Sequence, residues 1–297
     1  MLINTKIPIA YIFDKVKYEL LYVMAFGLSV KFFTLKYIDY LPDMPIAIPA
    51  FIGTAISVLL SFKLNQSYDR WWEARKVWGA IVNDSRSLVL QLQSFLPEAQ
   101  RVQVKQLALR HVAWCYSLGQ NLRGLDPKAN IEGLISKEDM AALDAHSNKP
   151  LALLQQSALQ VAALKDAGNL SEYYHVQINN TMVKFSDAMG MAERIKSTVF
   201  PVTYRVFLHF MIYVFVITLS ISLGEIDSFF ELPLLMVISV SFFLLERTAT
   251  HMQDPFSNRP SDTAMTTIAR NIHINTAQMI GETAVPEPIQ PQSFYAL

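Results

Sequence analysis

Residues 45–62, PIAIPAFIGTAISVLLSF, carry no charged side chain, and five residues later the chain reads SYDRWWEARKVWG at 67–79. The uncharged run constrains the fold most, because a helix needs about 20 largely apolar residues to cross the hydrocarbon core of a bilayer. Three other stretches have the same character. Residues 206–223, VFLHFMIYVFVITLSISL, are interrupted only by His209; residues 231–246, ELPLLMVISVSFFLLE, are shorter; residues 18–38, YELLYVMAFGLSVKFFTLKYI, carry Lys31 and Lys36. A lysine at the centre of a span costs about 2.5–3.5 kcal/mol, but both of these lie toward one end, where long stems can snorkel. Four transmembrane helices are therefore expected, at about 18–38, 45–66, 203–223 and 231–247.

Composition agrees with a membrane protein that has a substantial water-exposed part. The chain is 52% hydrophobic and 17% charged, with a mean hydropathy of +0.25, where soluble domains carry about a quarter charged residues. The formal net charge is zero, so nothing points to nucleic acid as a partner. Cys115 is the only cysteine, which rules out an internal disulfide and any cysteine-based metal knuckle. The N-terminal residues lack a short apolar core followed by small residues, so no cleaved signal peptide is expected.

Loop charges orient the spans. DYLPDM, between the first two, and GEIDSFFE, between the last two, contain no Lys or Arg, whereas the segments on the other side carry Lys6, Lys15, Lys17, Lys63, Arg70, Arg75, Lys76, Arg205, Arg247 and Arg259. The positive-inside rule then places both termini and the long middle stretch in the cytoplasm. A multi-pass protein of the cell's inner (plasma) membrane is therefore expected.

The middle stretch reads as helix throughout. Residues 67–95 and 98–124 keep apolar positions at three- and four-residue spacing, LDPKAN breaks the second, and a further helical run is predicted at 131–146. Helices also follow Pro150 and follow Asn169 or Ser171, and Ser261 is placed to cap a last helix, DTAMTTIARNIHINTAQMI, before a proline-containing tail. No strand pattern of useful length is present. The predicted class is an all-α membrane protein in four parts: 1–66, with the first two spans; 67–200, a cytosolic helical region; 201–247, with the last two spans; and 248–297, a cytosolic helix and extended tail.

Catalysis finds little support. The six histidines, His111, His146, His175, His209, His251 and His273, include no pair at the i, i+4 spacing of a shared metal. There is no glycine-rich phosphate loop and no nucleophile elbow. No cofactor and no metal site is expected. In the second span Ala47, Ala50, Thr54, Ser57 and Ser61 recur at spacings of three and four, a stripe of small or weakly polar side chains. Such a stripe serves a close helix–helix contact, or, with Thr54, Val58 and Phe62 stacked along it and repeated in several subunits, a narrow hydrophobic collar that gates by dewetting. Both readings stay open on the spacing alone.

SYDRWWEARKVWG, after an apolar helix ending in SF, resembles the signature of the bestrophin family, in particular its bacterial branch. RHVAWCYSLGQNLRG at 110–124, GMAERIKSTVFP at 190–201 and QDPFSNRPSD at 253–262 resemble further family segments in the same order. The resemblance implies a homopentameric ion channel, with the second spans lining a narrow neck and the cytosolic helices enclosing a vestibule. Its partners are then further copies of itself, membrane lipid and the permeating monovalent ions. Counted from Arg70-Trp71-Trp72, the implied neck residues are Thr54, Val58 and Phe62. The family usually has bulky apolar groups at all three levels, so Thr54 departs and makes the outermost level more polar. Counted back from Pro201, a cytoplasmic aperture falls at Tyr173 or Tyr174. Animal members bind calcium through an acidic cluster after the Pro-Phe element; this chain has SNRPSD there, with Arg259 among Asp254 and Asp262. Calcium takes six to eight oxygen ligands, so no calcium gate is expected.

The family resemblance implies chloride or another anion. The outer-loop acids Asp39, Asp43, Glu225, Asp227 and Glu231, multiplied by subunit number, would instead make a negative mouth that concentrates cations, and sodium is the alternative. A non-conducting membrane scaffold is a second alternative. A secondary transporter would want broken spans, and Pro49 and Gly53 fall within the second span, though no carboxylate does. Arg70, Trp71, Trp72 and Trp78 are read as interfacial anchors where the second span leaves the bilayer, because an indole pairs an apolar face with one N–H.

Overall fold

A computed structural model of the chain describes residues 7–37, 44–223, 231–291 and 294–296. Among them the α-helices are α1 (Ile9–Tyr37), α2 (Ala47–Phe95), α3 (Arg101–Arg123), α4 (Lys137–Ala142), α5 (Lys149–Asp166), α6 (Glu172–Ser197), α7 (Val202–Leu223), α8 (Glu231–Gln253) and α9 (Met265–Met279). They divide into two compact units, one built from Thr5–Arg70 with Val199–Gln253, the other from Trp71–Thr198 with Asp254–Leu297. The first division falls inside α2.

The first unit contains α1, the N-terminal half of α2, α7 and α8. Among the described residues three helices are long and apolar enough to cross a membrane, namely α2, α7 and α8. α1 is 29 residues long but carries charges through its length. Pro49 does not break α2: it lies in the first turn, where its missing N–H has no intrahelical partner to lose. Gly53 does not break it either. A Cβ there would lie 3.1 Å from Cε2 of Phe215, so the glycine lets α7 approach. The apolar core joins Ile56 and Leu60 of α2 to Leu208, Ile212 and Phe215 of α7 and Leu235 and Phe243 of α8.

Among the described residues three pairs of a carboxylate with Lys or Arg join helices of this unit, all ending on α8. Glu231 Oε2 accepts from Lys31 at 2.8 Å, Glu19 Oε1 from Arg247 at 2.7 Å, and Glu246 Oε1 from Lys63 at 2.6 Å. Lys31 is therefore held by a specific partner, in addition to lying near a span end. Glu231, read from the sequence as one of the outer-mouth acids, is the first residue of α8 and only 3% exposed; its partner Lys31 lies inside the unit. Asp39, Asp43, Glu225 and Asp227 lie outside the described residues.

The second unit is a helical bundle around α3, which is buried almost continuously from His111 to Gln120. Trp78 and Trp114 are its largest buried side chains, packed with Phe185, Phe256 and aliphatic residues of α2, α3, α5, α6 and α9. Close packing reaches the backbone at Gly119, where a Cβ would meet Met265 Cβ at 3.3 Å and Trp78 Cη2 at 3.6 Å. Caps set the helix starts: Ser136 accepts from Asp139 N, Asn148 from Leu151 N, and Ser171 from Tyr174 N. Ser171, not Asn169, caps α6.

Two helix expectations are corrected here. The run predicted at 131–146 is helical only from Lys137 to Ala142, with a 3₁₀ turn to Ala145, because Asn130 and Gly133 take positive φ of 68° and 77° and leave the helical region. The last helix begins at Met265, and Ser261 does not cap it. Asp262 instead turns back, its Oδ2 accepting from the N–H groups of Ser257 and Arg259, which holds the preceding residues in a turn.

Candidate functional site

α2 presents two faces within the first unit. Ile56, Leu60, Lys63 and Ser67 are buried, whereas Thr54, Val58 and Phe62 are exposed, the last two by 51% and 62%. The rows run at spacings of three and four, as two stripes of one helix must. Thr54 spends its hydroxyl hydrogen on Ala50 O at 2.9 Å, and Ser57 does the same on Gly53 O at 2.8 Å. The exposed stripe thus offers hydroxyl lone pairs at Thr54 and only hydrocarbon at Val58 and Phe62.

What fixes the helix about its own axis lies on the buried side. Lys63 Nζ donates to Glu246 Oε1 and, at 2.9 Å, to Thr250 Oγ1. Thr250 in turn donates to Glu246 at 2.8 Å, and His209 Nε2 lies 3.1 Å from Glu246 Oε2. One turn earlier, Tyr204 of α7 donates its hydroxyl to Leu59 O at 2.7 Å. With Leu59 and Lys63 tied to α7 and α8, Val58 and Phe62 must point the other way. Sequence reading missed this clamp, although its signals were present: a lysine directly after an uncharged run, a histidine inside another, and a glutamate near the end of a third. Ionisable groups in a membrane span are costly and carry partners.

The tryptophan-rich stretch divides its tasks. Arg70 donates from Nε to Gln253 O at 2.6 Å, satisfying a carbonyl at the end of α8. Trp71 donates to Ser261 O at 3.1 Å and stacks on Trp72, with ring centroids 6.2 Å apart; Trp72 is 45% exposed. Trp78 is fully buried. It is a core residue of the second unit and not an interfacial anchor, because the helix turns it toward Gly119 and Met265.

Of the two tyrosines that open α6, Tyr174 stacks flat on Phe95 at 4.3 Å between centroids. Tyr173 is 86% exposed.

One constellation has the alphabet of covalent catalysis without its chemistry. His111 Nε2 lies 2.7 Å from Ser85 Oγ and 3.6 Å from Cys115 Sγ, and its ring packs against Phe185 and Trp114. Burial lowers the His111 pKa to about 3 and pushes the Cys115 thiol well up. A neutral, enclosed imidazole beside a protonated thiol gives no thiolate nucleophile. Among the described residues no group of His, Cys, Asp and Glu is placed to hold a metal ion.

The family model for bacterial/fungal bestrophin proteins matches residues 7–278. The voltage-dependent anion channel-forming protein YneE of Escherichia coli (strain K12) is 28% identical over 287 residues, 96% of this chain and 93% of that one. The voltage-dependent anion channel-forming protein RSc3414 of Ralstonia nicotianae is 28% identical over 82% of this chain and 80% of its own. Among solved structures, the crystal structure of a bacterial bestrophin homolog from Klebsiella pneumoniae superposes with a TM-score of 0.85 at 25% identity, covering 91% of this chain and 100% of that one.

Proposed function

The chain belongs to the bacterial and fungal bestrophin family, and from that premise we propose that it is an ion channel of the bacterial inner membrane, conducting small monovalent ions and anions in preference. Five copies form the ring, each contributing four spans, with α1 as the first and both termini in the cytoplasm. Thr54, Val58 and Phe62 of α2 line the neck, and Tyr173 stands at the cytoplasmic aperture. The observation that carries this reading is the two-faced α2: its buried side is tied by Lys63, Glu246 and Tyr204, which leaves an apolar stripe exposed. Repeated around an axis, Val58 and Phe62 form a collar narrow enough to gate by dewetting. The names of the relatives favour anions.

Calcium does not gate this channel. Asp262, the acidic residue best placed in the segment after α8, already accepts from two backbone N–H groups, and Arg259 and Arg123 act on it electrostatically. Burial raises its carboxyl pKa, against those hydrogen bonds. A calcium site wants several charged oxygens, and here cations stand in their place.

A cation-selective reading is favoured by one residue. Asp69 is exposed, and seven positions after Phe62 it returns to within about 20° of the same helical face. The test is the reversal potential of purified protein in lipid vesicles across a salt gradient. Anion selectivity moves it toward the chloride equilibrium potential. A shift toward sodium that disappears in Asp69→Asn establishes the cation reading instead. Phe62→Ala and Val58→Ala are expected to raise conductance severalfold, and unchanged flux in both sinks the neck assignment.

A further inference from the structure

Within the first unit, the opening turns of α7 and the closing turns of α8 surround a cavity of about 340 Å³ lined by Arg205, Val206, His209, Glu246, Arg247 and Thr250. Its charges do not cancel. Glu246 is matched by Lys63 and Arg247 by Glu19, whereas exposed Arg205 makes no ion pair with any described residue. One positive charge is left over. The His209 ring, about a third exposed, forms part of the wall, with its Nε2 turned to Glu246 Oε2 at 3.1 Å.

An apolar row starts at the same cavity. Val202, Val206 and Phe210 recur every four residues along α7 and are exposed by 54%, 60% and 60%, and Leu245 of α8 is exposed by 47%. The positive-inside rule puts the start of α7 at the cytoplasmic surface, so the row runs from headgroup depth toward the hydrocarbon.

We propose that this cavity binds a phospholipid of the inner leaflet with one net negative charge, its phosphodiester on Arg205 and Arg247, and its acyl chains along Val206, Phe210 and Leu245. A guanidinium presents its donors in a planar fork that matches phosphate oxygens, and basic groups at this depth attract anionic lipid. The single unmatched charge fits a phosphodiester. A free oxyanion would use the same polar groups but would leave the apolar row uncovered. The proposal rests on α7 and α8 crossing the membrane, not on ion conduction.

Delipidated protein in detergent is titrated with phosphatidylglycerol, phosphatidylcholine or inorganic phosphate, with bound lipid counted by native mass spectrometry. Phosphatidylglycerol is expected to bind about tenfold more tightly than phosphatidylcholine, or about 1.4 kcal/mol. Arg205→Ala abolishes that preference, Arg205→Lys keeps part of it, and Arg86→Ala, at an exposed position of the other unit, leaves it intact. Equal binding of the two lipids, or an Arg205→Ala protein that retains the wild-type preference, overturns the proposal. Displacement of phosphatidylglycerol by millimolar inorganic phosphate overturns it in favour of a free-anion site. None of these outcomes depends on flux, so a failed conductance measurement leaves them independent.

Discussion

Glu246 in the membrane-crossing unit is 2% exposed and His111 in the helical bundle 3%, yet the two environments deal with a buried titratable group in opposite ways. Glu246 is met by polar partners, Lys63 and Thr250 on Oε1 and His209 beside Oε2. His111 has a serine hydroxyl, a thiol and two aromatic rings, and burial keeps it neutral. The surroundings of each unit account for the difference. A bundle in water can tell inside from outside by apolarity alone. A bundle in lipid has hydrocarbon on both sides, so apolar burial does not choose a helix's rotation, and specific polar contacts must. The ion pairs that tie α8 to α1 and α2 do this work in the membrane unit.

Acid should separate the two units most. Folded His111 takes up a proton only below about pH 3, while the unfolded chain does so near pH 6.5. Between those values the unfolded state binds more protons, so stability falls as pH drops through the window. At about 1.36 kcal/mol per pH unit the full loss is about 4–5 kcal/mol. Trp71, Trp72, Trp78 and Trp114 are the four tryptophans of the chain and all belong to this unit, so intrinsic fluorescence follows it selectively. His111→Gln should flatten the acid transition; a variant that still unfolds over the same range assigns the transition to other groups.

Breaking the Lys63–Glu246 pair comes next. Lys63→Met strands a buried carboxylate and is expected to cost about 3–5 kcal/mol, while Lys63→Met with Glu246→Met recovers most of it. Thermal unfolding in detergent reads both. If the double variant is no better than the single, the pair is not what orients α2.

The Lys31–Glu231 pair sharpens the same point at smaller scale. Its lysine is 35% exposed and its glutamate 1% at the side chain. Lys31→Met should therefore cost about 1.5–3 kcal/mol by leaving Glu231 unmatched, and Glu231→Gln less, because Lys31 can snorkel. Equal costs in the same unfolding assay would show that burial does not set the asymmetry. The smallest effect is expected at Arg194–Glu73, 64% and 40% exposed in the bundle. Arg194→Ala should change stability by about 0–1 kcal/mol, and less at high salt.

Legibility in the sequence followed the kind of interaction involved. The helices, a start of α6 at Asn169 or Ser171 and the stripe on α2 could be read, because each depends on residues within a turn or two of one another. The 131–146 run misled, since Asn130 and Gly133 were not recognised as positive-φ positions. Ser261 misled for a related reason, because Asp262 takes the backbone donors of the turn for itself. Trp78 misled differently: an indole near a span end has the same local pattern whether it faces lipid headgroups or Gly119 and Met265.

By itself the sequence determined that this chain is helical, that uncharged runs alternate with a long charged stretch, and which motifs place it beside the bestrophins. Those properties follow from side-chain periodicity and from the length of apolar runs, which are local. Only the tertiary structure decided that Lys63 meets Glu246 across 183 positions, that Glu19 meets Arg247 across 228, and that Glu231 is matched by Lys31. No local rule connects such partners. Which cation a buried carboxylate reaches is set by how the helices pack, and that same packing leaves Val58 and Phe62 exposed and Arg205 without a counter-ion among the described residues.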